Sequence, residues 1–313
     1  MTERERQARK PLHDVHGIVP LDKPAGLTSN AALQRTKRLF RARKAGHTGS
    51  LDPLATGMLP ICFGEATKVS AFLLDAEKTY RVVCRLGVAT DTGDADGKVL
   101  ERRTDPAPGR EAVAAAAAGL LGEIEQVPPM YSALKRGGRR LYELARKGVT
   151  VDREARRVRV SALEVERYEW PELEFVVACS KGTYVRSLVI DLAAALGTLG
   201  HVTALRRLAV GPFREADLIS LDALEALAAE GESALDGALL PIDRALADWP
   251  SATLEAEAAR RFAHGQPVAA EASTPAGRVR VYAADRLLGI GEVTVDRQLL
   301  PRRVLSADRD AVD

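Results

Sequence analysis

The sequence predicts an α+β protein, with one large domain of mixed helices and strands followed by a small β-rich one. Three observations carry this. Segments of period two and segments of helical period follow one another without the strict strand–helix–strand alternation of a doubly wound sheet. An acidic stretch ending near Pro250 separates the bulk of the chain from a run of short strands and turns. A length of 313 residues with 46% hydrophobic side chains is enough for one large core and a second, smaller one.

Residues 1–14, opening on MTERERQARK, read as a flexible polar tail; no apolar segment follows, so neither a signal peptide nor an anchor is expected. Residues 17–24 read as a short apolar strand ended by a turn, and a helix is expected from Ser29 or Asn30, either an acceptable N-cap, through Phe40. Residues 41–60 are punctuated by Gly46, Gly49, Pro53, Gly57 and Pro60 and read as loop. Residues 79–86 alternate as a strand and stop at Gly87, and the polar turn 91–97 leads into another strand. An alanine-rich helix is expected over 110–121, a break at Pro128 and Pro129, and a short helix over 139–147 stopped by Gly148. Strands follow at 158–165 and 173–179. A helix at 186–196 ends at Gly197, and another at 221–229 is N-capped by Ser220 and closed by Gly231. Beyond Pro250, residues 277–282 and 287–295 read as strands, and no internal repeat is visible.

No run approaches the eighteen or so apolar residues of a membrane helix. Cys62, Cys84 and Cys179 lie far apart in apolar surroundings, which fits a reducing cytoplasm better than a disulfide framework or a zinc site. The net charge of +2 hides an asymmetry. No acid falls between Asp22 and Asp52, where Lys23, Arg35, Lys37, Arg38, Arg41, Arg43 and Lys44 lie; from 130 to 159 ten Lys/Arg face three acids; from 217 to 258 ten acids face Arg244 alone. One basic run is ordinarily a solvated face, but two with glycines among them point to nucleic acid. With only 4% aromatic residues, phosphate contact and shape reading are favoured over a stacking platform.

The most informative segment is GHTGSLDPLATG, residues 46–57. Pro53 biases Asp52 to an extended backbone, and the glycines permit sharp turns and close backbone approach. Asp52 is thus a lone carboxylate on a shaped loop at the edge of a cationic stretch, where neighbouring cations favour the ionised form that a nucleophile or base needs. On spacing alone, capping a turn is the usual fate of an Asp before Pro, and His47 alone reads equally well as a hydrogen-bonded loop residue.

Other motifs stand in register with this segment: Leu21-Asp-Lys-Pro-Ala-Gly26, Lys78-Thr-Tyr80-Arg81, Pro129-Met-Tyr-Ser-Ala-Leu-Lys135, Cys179-Ser-Lys-Gly-Thr-Tyr184-Val-Arg186 and Leu205-Arg-Arg-Leu208. Together they resemble, in order, the signature of the TruB family of tRNA pseudouridine-55 synthases over residues 17–213. The C-terminal module resembles, less sharply, a small PUA-type RNA-binding domain. The resemblance implies a catalytic domain over 15–248 with a central mixed, mainly antiparallel sheet, an RNA-clamping insertion at 130–159, and a PUA-like domain at 249–313.

It also implies the chemistry. A uridine in the T loop of tRNA is flipped out, at a cost on the order of a few kcal/mol, and its C1′–N1 bond is exchanged for C1′–C5. No atom is gained or lost, so no cofactor and no metal is expected, in keeping with a sequence lacking a P-loop or a GxGxxG. Asp94-x-Asp96-Gly97, a fragment of a calcium loop, reads as a polar turn. By resemblance Asp52 is the catalytic aspartate, Arg186 pairs with it, and Tyr80 stacks on the base with a phenol placed to move a proton. Tyr184 and Leu205 line the uridine pocket, and His47 enters the T loop. Lys23 and Pro24 buttress the loop, and Lys135, Arg136, Arg139 and Arg140 contact phosphate. The partner implied is the T-arm of tRNA, for a cytoplasmic monomer without an obligate protein partner.

Two rival readings are a tRNA-folding chaperone with incidental chemistry, and a glycoside hydrolase, which needs a second carboxylate; the nearest in sequence is Glu65. The basic run makes a separate prediction. Neutralising Lys135, Arg136, Arg139 and Arg140 together should weaken tRNA binding and flatten its log–log salt slope by up to about 3–4, read by filter binding across a salt series, with conversion of bound RNA less affected.

Overall fold

A computed structural model describes residues 12–305, apart from 133, 137, 146, 147 and 150. The chain is held from His13 onward: its N–H donates to the Arg41 carbonyl, its carbonyl accepts from Arg43 N (both 3.0 Å), and Asp14 pairs with Arg43 at 2.8 Å. The tail expected over 1–14 therefore does not reach residues 13 and 14, and residues 1–11 lie outside the described set.

Strand β1 (Gly17–Lys23) and helix α1 (Ser29–Leu39) form where expected. The cap is one residue earlier than expected: the Thr28 hydroxyl accepts from Ala31 N at 3.1 Å. Ser29 is engaged elsewhere, its Oγ donating to the Leu51 carbonyl (3.1 Å) and accepting from Leu51 N (2.7 Å). The stretch 41–60 is not simply loop. It contains β2 (Ala45–His47) and most of β3 (Thr56–Phe63), which is buried from Gly57 to Phe63. Covered on both faces, β3 is apolar throughout instead of alternating. Pro60 is tolerated because pairing on that edge stops at Ile61 with β2 and resumes only at Gly57, so its missing N–H falls in a gap.

Next come α2 (Ser70–Asp75), β4 (Lys78–Leu86), a hairpin of β5 (Val88–Thr90) and β6 (Val99–Arg102), α3 (Arg110–Ala118) and β7 (Gly122–Gln126). The chain then leaves the sheet for an excursion holding the hairpin β8 (Lys135–Arg136) and β9 (Arg139–Arg140) and the single turn α4 (Leu141–Ala145). The helix expected over 139–147 is thus shorter, its first two residues being taken by the hairpin, while 146 and 147 lie outside the described residues. It returns as β10 (Arg156–Glu169), followed by β11 (Glu172–Cys179), α5 (Val185–Ala195) and β12 (Gly200–Val210). No strand is expected at 200–210, where Arg206 and Arg207 break the alternation. Both are accommodated: Arg206 forms a two-pronged pair with Asp22 (2.9 and 3.0 Å), and Arg207 is 1% exposed. The large domain ends with β13 (Ile219–Ser220), α6 (Leu221–Glu230) and α7 (Glu232–Asp236), the Ser220 hydroxyl capping α6 as expected.

The main sheet runs β13-β1-β3-β12-β4-β11-β10-β7, with β2 branching onto β3. Only β1–β13 and β3–β12 pair in parallel, so it is mixed and mainly antiparallel. Phe175, Val177, Leu188 and Leu192 belong to one core, which also takes in Leu51, Ala55 and Tyr80. Leu33 of α1 and Leu224 of α6 build a second with Leu59, Ile61 and Phe63 of β3. After 250 come β14 (Ser251–Thr253), α8 (Ala256–Ala263), β15 (Val268–Ala269), β16 (Gly277–Ala283), β17 (Arg286–Val293) and β18 (Gln298–Val304), with their own sheet and core. Among the described residues no helix is long and apolar enough to cross a membrane.

Where β3 meets β12, the backbones approach so closely that a Cβ on Gly57 (φ +95°) would lie 2.3 Å from the Arg207 carbonyl oxygen. Gly57→Ala combines positive-φ strain with this clash and should destabilise the protein by about 2–5 kcal/mol, measured as a lower denaturation midpoint.

Candidate active site

Asp52 lies between β2 and β3 in a loop held from three sides. Ser29 grips both backbone groups of Leu51. Lys23, fully buried, donates to the carbonyls of Pro24 (2.8 Å), Leu27 (2.7 Å) and Pro53 (3.3 Å). Arg207 donates to Met58 O (2.6 Å) and Gly49 O (3.1 Å). Lys23 therefore ties the turn between β1 and α1 to the loop at Pro53, while Arg207 ties the loop's entry and exit to β12.

Arg186, second residue of α5, points its guanidinium at the loop. Its Nε is 2.8 Å from Asp52 Oδ2 and its Nη2 donates to Oδ1 at 3.1 Å, a bidentate pair. The remaining donors are used as well: Nη1 to Thr92 O (2.8 Å) and Nη2 to Tyr131 O (2.7 Å), while Asp94 Oδ2 lies 3.7 Å from Nε. The Arg186 side chain is 4% exposed and that of Asp52 37%, so a buried guanidinium holds a carboxylate that is itself largely withdrawn from water and only partly open to solvent.

Tyr80 of β4 stands in register with Arg207 of β12 and shares a core cluster with Leu51, Ala55 and Leu205. Tyr184 precedes the first turn of α5, half-buried, with its N–H and carbonyl both bonded to the Gln126 side chain (2.7 and 3.1 Å). His47 ends β2, and its Nδ1 is buried without a hydrogen-bond partner in the protein. The fold thus brings Asp52, Arg186, Tyr80, Leu205 and Tyr184 around α5 and the strand ends beside it. Lys135, Arg136, Arg139 and Arg140 form the β8–β9 hairpin of the excursion, and their side chains lie outside the described set.

Electrostatics depart from the sequence reading in one respect. Cations alone were expected to hold Asp52 ionised, yet its carboxyl is raised above the ordinary range: burial dominates, Arg186 opposes it, Asp94 adds to it, and Lys23 opposes again. Burial draws Lys23 down to about 8 despite Asp52, so it is largely an ammonium at neutral pH, as its three carbonyl acceptors require. His47 is lowered by burial and then by Arg207, which keeps the imidazole neutral. Burial raises the Tyr80 phenol, against Arg207.

Four contributors escape a reading by motif: Asp94, Thr92, Gln126 and Arg207. Asp94 is 5% exposed and lies in what reads as a polar turn; Arg207 is part of the Leu205–Leu208 motif but carries no signal of being buried. Glu65, the acid weighed for a two-carboxylate mechanism, pairs with Lys68 at 2.6 Å. Among the described residues no three His, Cys, Asp or Glu side chains gather as a metal set. Most of the first basic run is engaged internally: Lys23 in the loop, Arg35 with Glu225 (2.6 Å), Arg41 with Glu232 and Arg43 with Asp14.

Family models match three successive segments: the TruB family pseudouridylate synthase N-terminal domain over 37–185, the tRNA pseudouridylate synthase B C-terminal domain over 186–247, and the pseudouridine synthase II TruB C-terminal region over 250–305. The chain is 50% identical over 302 residues to tRNA pseudouridine synthase B of Nitrosococcus oceani, covering 96% of this chain and 98% of that one. The chain belongs to the TruB family. A second TruB-family relative, tRNA pseudouridine synthase B of Pseudomonas aeruginosa, is 50% identical over 301 residues, with 96% and 99% covered. The fold is also that of the crystal structure of a Cbf5–Nop10–Gar1 complex, with TM-score 0.71, 28% identity, and 90% of this chain and 79% of that chain covered. The expected α+β class and family are therefore those found.

The raised Asp52 carboxyl has a signed consequence. The native state binds this proton more tightly than the unfolded chain. The group's contribution therefore favours the native state at low pH and is lost as pH rises from the unfolded value through the raised folded one. The ¹³C-carboxyl titration of Asp52 should have its midpoint above 3.8, and Asp94→Asn, which removes a like charge, should move it down.

Proposed function

We propose that this TruB-family protein is a tRNA pseudouridine synthase that isomerises a T-loop uridine, with Asp52 as the catalytic carboxylate. The observation carrying the reading is the Asp52–Arg186 pair: a partly open carboxylate held through both oxygens on a buried guanidinium. Such a group has one orientation and two outward lone pairs, which suits attack on, or charge stabilisation beside, a sugar C1′ or a uracil ring. The two relatives' names specify tRNA as what they act on.

The uridine enters flipped, because neither C1′–N1 nor C5 is reachable within a stacked loop. Asp52 promotes breakage of C1′–N1, the base turns while held, C5 bonds to C1′, and the C5 proton is lost while N1 gains one. Tyr80 faces the base from the strand beside Arg207, its phenol kept protonated by burial. Tyr184 and Leu205 wall the pocket. His47, neutral at physiological pH, enters the RNA loop as a hydrogen-bonding ring that adds no positive charge. The excursion after β7 lies over the RNA with its basic hairpin on phosphate, and the C-terminal β unit adds RNA-binding surface.

The decisive experiment is mass-spectrometric mapping of pseudouridine in unmodified tRNA incubated with this protein alone, beside Asp52→Asn. The variant should keep its fold, because Asp94 and the carbonyls of Thr92 and Tyr131 still hold Arg186. Conversion at one T-loop uridine is expected to fall more than about a thousandfold with tRNA affinity nearly unchanged. Turnover by Asp52→Asn would overturn the assignment, and wild-type binding with no pseudouridine formed even by the intact protein would favour the chaperone reading.

A further inference from the structure

Gln126 is the last residue of β7, opposite Arg156, the first residue of β10, and so closes the base of the excursion. It is 2% exposed. Its carboxamide engages both backbone groups of one residue: Oε1 accepts from Tyr184 N at 2.7 Å and Nε2 donates to Tyr184 O at 3.1 Å. Tyr184 precedes α5 without capping it through its own side chain. The helix start is thus oriented from outside, by an amide that satisfies both polar groups of one residue as a neighbouring strand would.

The stitching continues past Gln126. The Ser187 hydroxyl donates to Val127 O at 3.0 Å, and Arg186 Nη2 donates to Tyr131 O at 2.7 Å. Three residues at the start of α5 (184, 186 and 187) are therefore bonded to three residues at the start of the excursion (126, 127 and 131). The same Arg186 nitrogen that bonds Tyr131 O also donates to Asp52 Oδ1.

We propose that Gln126 is a positioning residue for the reaction, setting the start of α5 so that Tyr184 and the Arg186 guanidinium meet Asp52 and the base in register, and linking the seating of the excursion to that alignment. It touches no reacting atom. Its neutral amide suits the task, since a charged clamp would compete with Asp52 for Arg186. This rests on the roles of Asp52, Arg186 and Tyr184 proposed above.

The test compares Gln126→Ala, which loses both bonds, with Gln126→Glu, which at this 2% exposed position is held neutral by burial and keeps an acceptor for Tyr184 N and an O–H donor for Tyr184 O. Single-turnover conversion should fall about 10–100-fold in the alanine variant and less in the glutamate variant. Affinity for tRNA should stay within about twofold, separating alignment from binding. The acid limb of the pH–rate profile should move to higher pH in Gln126→Ala, because a loosened Arg186 opposes protonation of Asp52 less; a change that merely lowers stability would leave that limb in place. Thermal denaturation checks folding, and if the alanine variant does not fold, the glutamate variant decides at alkaline pH, where its carboxyl ionises, loses the donor to Tyr184 O and should slow conversion. Wild-type rate and acid limb in a folded alanine variant, or a wild-type alkaline rate in the glutamate one, would overturn the inference. Asp52→Asn is run alongside: turnover there sinks the catalytic assignment itself, whereas an inactive Asp52→Asn beside unimpaired Gln126 variants sinks this inference alone.

Discussion

Arg186 is the group on which the rest of the site depends. A guanidinium withdrawn from water needs its donors answered, and the fold answers them with groups from separate places: Asp52 from the loop, Thr92 and Asp94 from the turn after β5, and Tyr131 from the excursion. One buried cation thereby fixes where three otherwise independent segments must converge. The bidentate grip restrains the plane of the Asp52 carboxylate. Burial is the largest influence on the Asp52 carboxyl and raises it; Arg186 opposes that shift, and the neighbouring negative charge of Asp94 adds to it.

A second layer holds the loop itself. Lys23 and Arg207 are among the largest fully buried side chains, and each donates to backbone carbonyls of the Asp52 loop or its flanks. A loop stabilised only by apolar contacts would leave its carbonyls unanswered away from water; these two cations answer them and set a positive potential beneath the site. Burial lowers His47 and raises the Tyr80 phenol; Arg207 adds to the first shift and opposes the second.

Much of the fold was legible from pattern. β4 and β11 alternate, α6 carries its cap in Ser220, and α5 ends before Gly197, so a short-range signal sufficed. β3 was not legible, because a strand buried on both faces and interrupted by Pro60 looks like the loop its glycines suggest, and only its three partner strands, β1, β2 and β12, explain how it pairs. β12 was hidden by Arg206 and Arg207, whose partners lie far away in sequence. Asp52, Arg186, Tyr80 and Tyr184 could be singled out in the sequence because they sit in motifs. Asp94 and Gln126 were passed over, since a side chain serving another residue has no local signature. The upward displacement of the Asp52 carboxyl was misjudged for a related reason: neighbouring charges can be counted in a sequence, but the depth of a group cannot.

The acidic residues of α6 and α7 give the charge pattern a further meaning. Glu225 and Glu232 occupy Arg35 and Arg41, cations that would otherwise be open to any polyanion. With those two charges paired, that flank carries less uncompensated positive charge than its sequence suggests, and its long-range pull on a polyanion is correspondingly weaker.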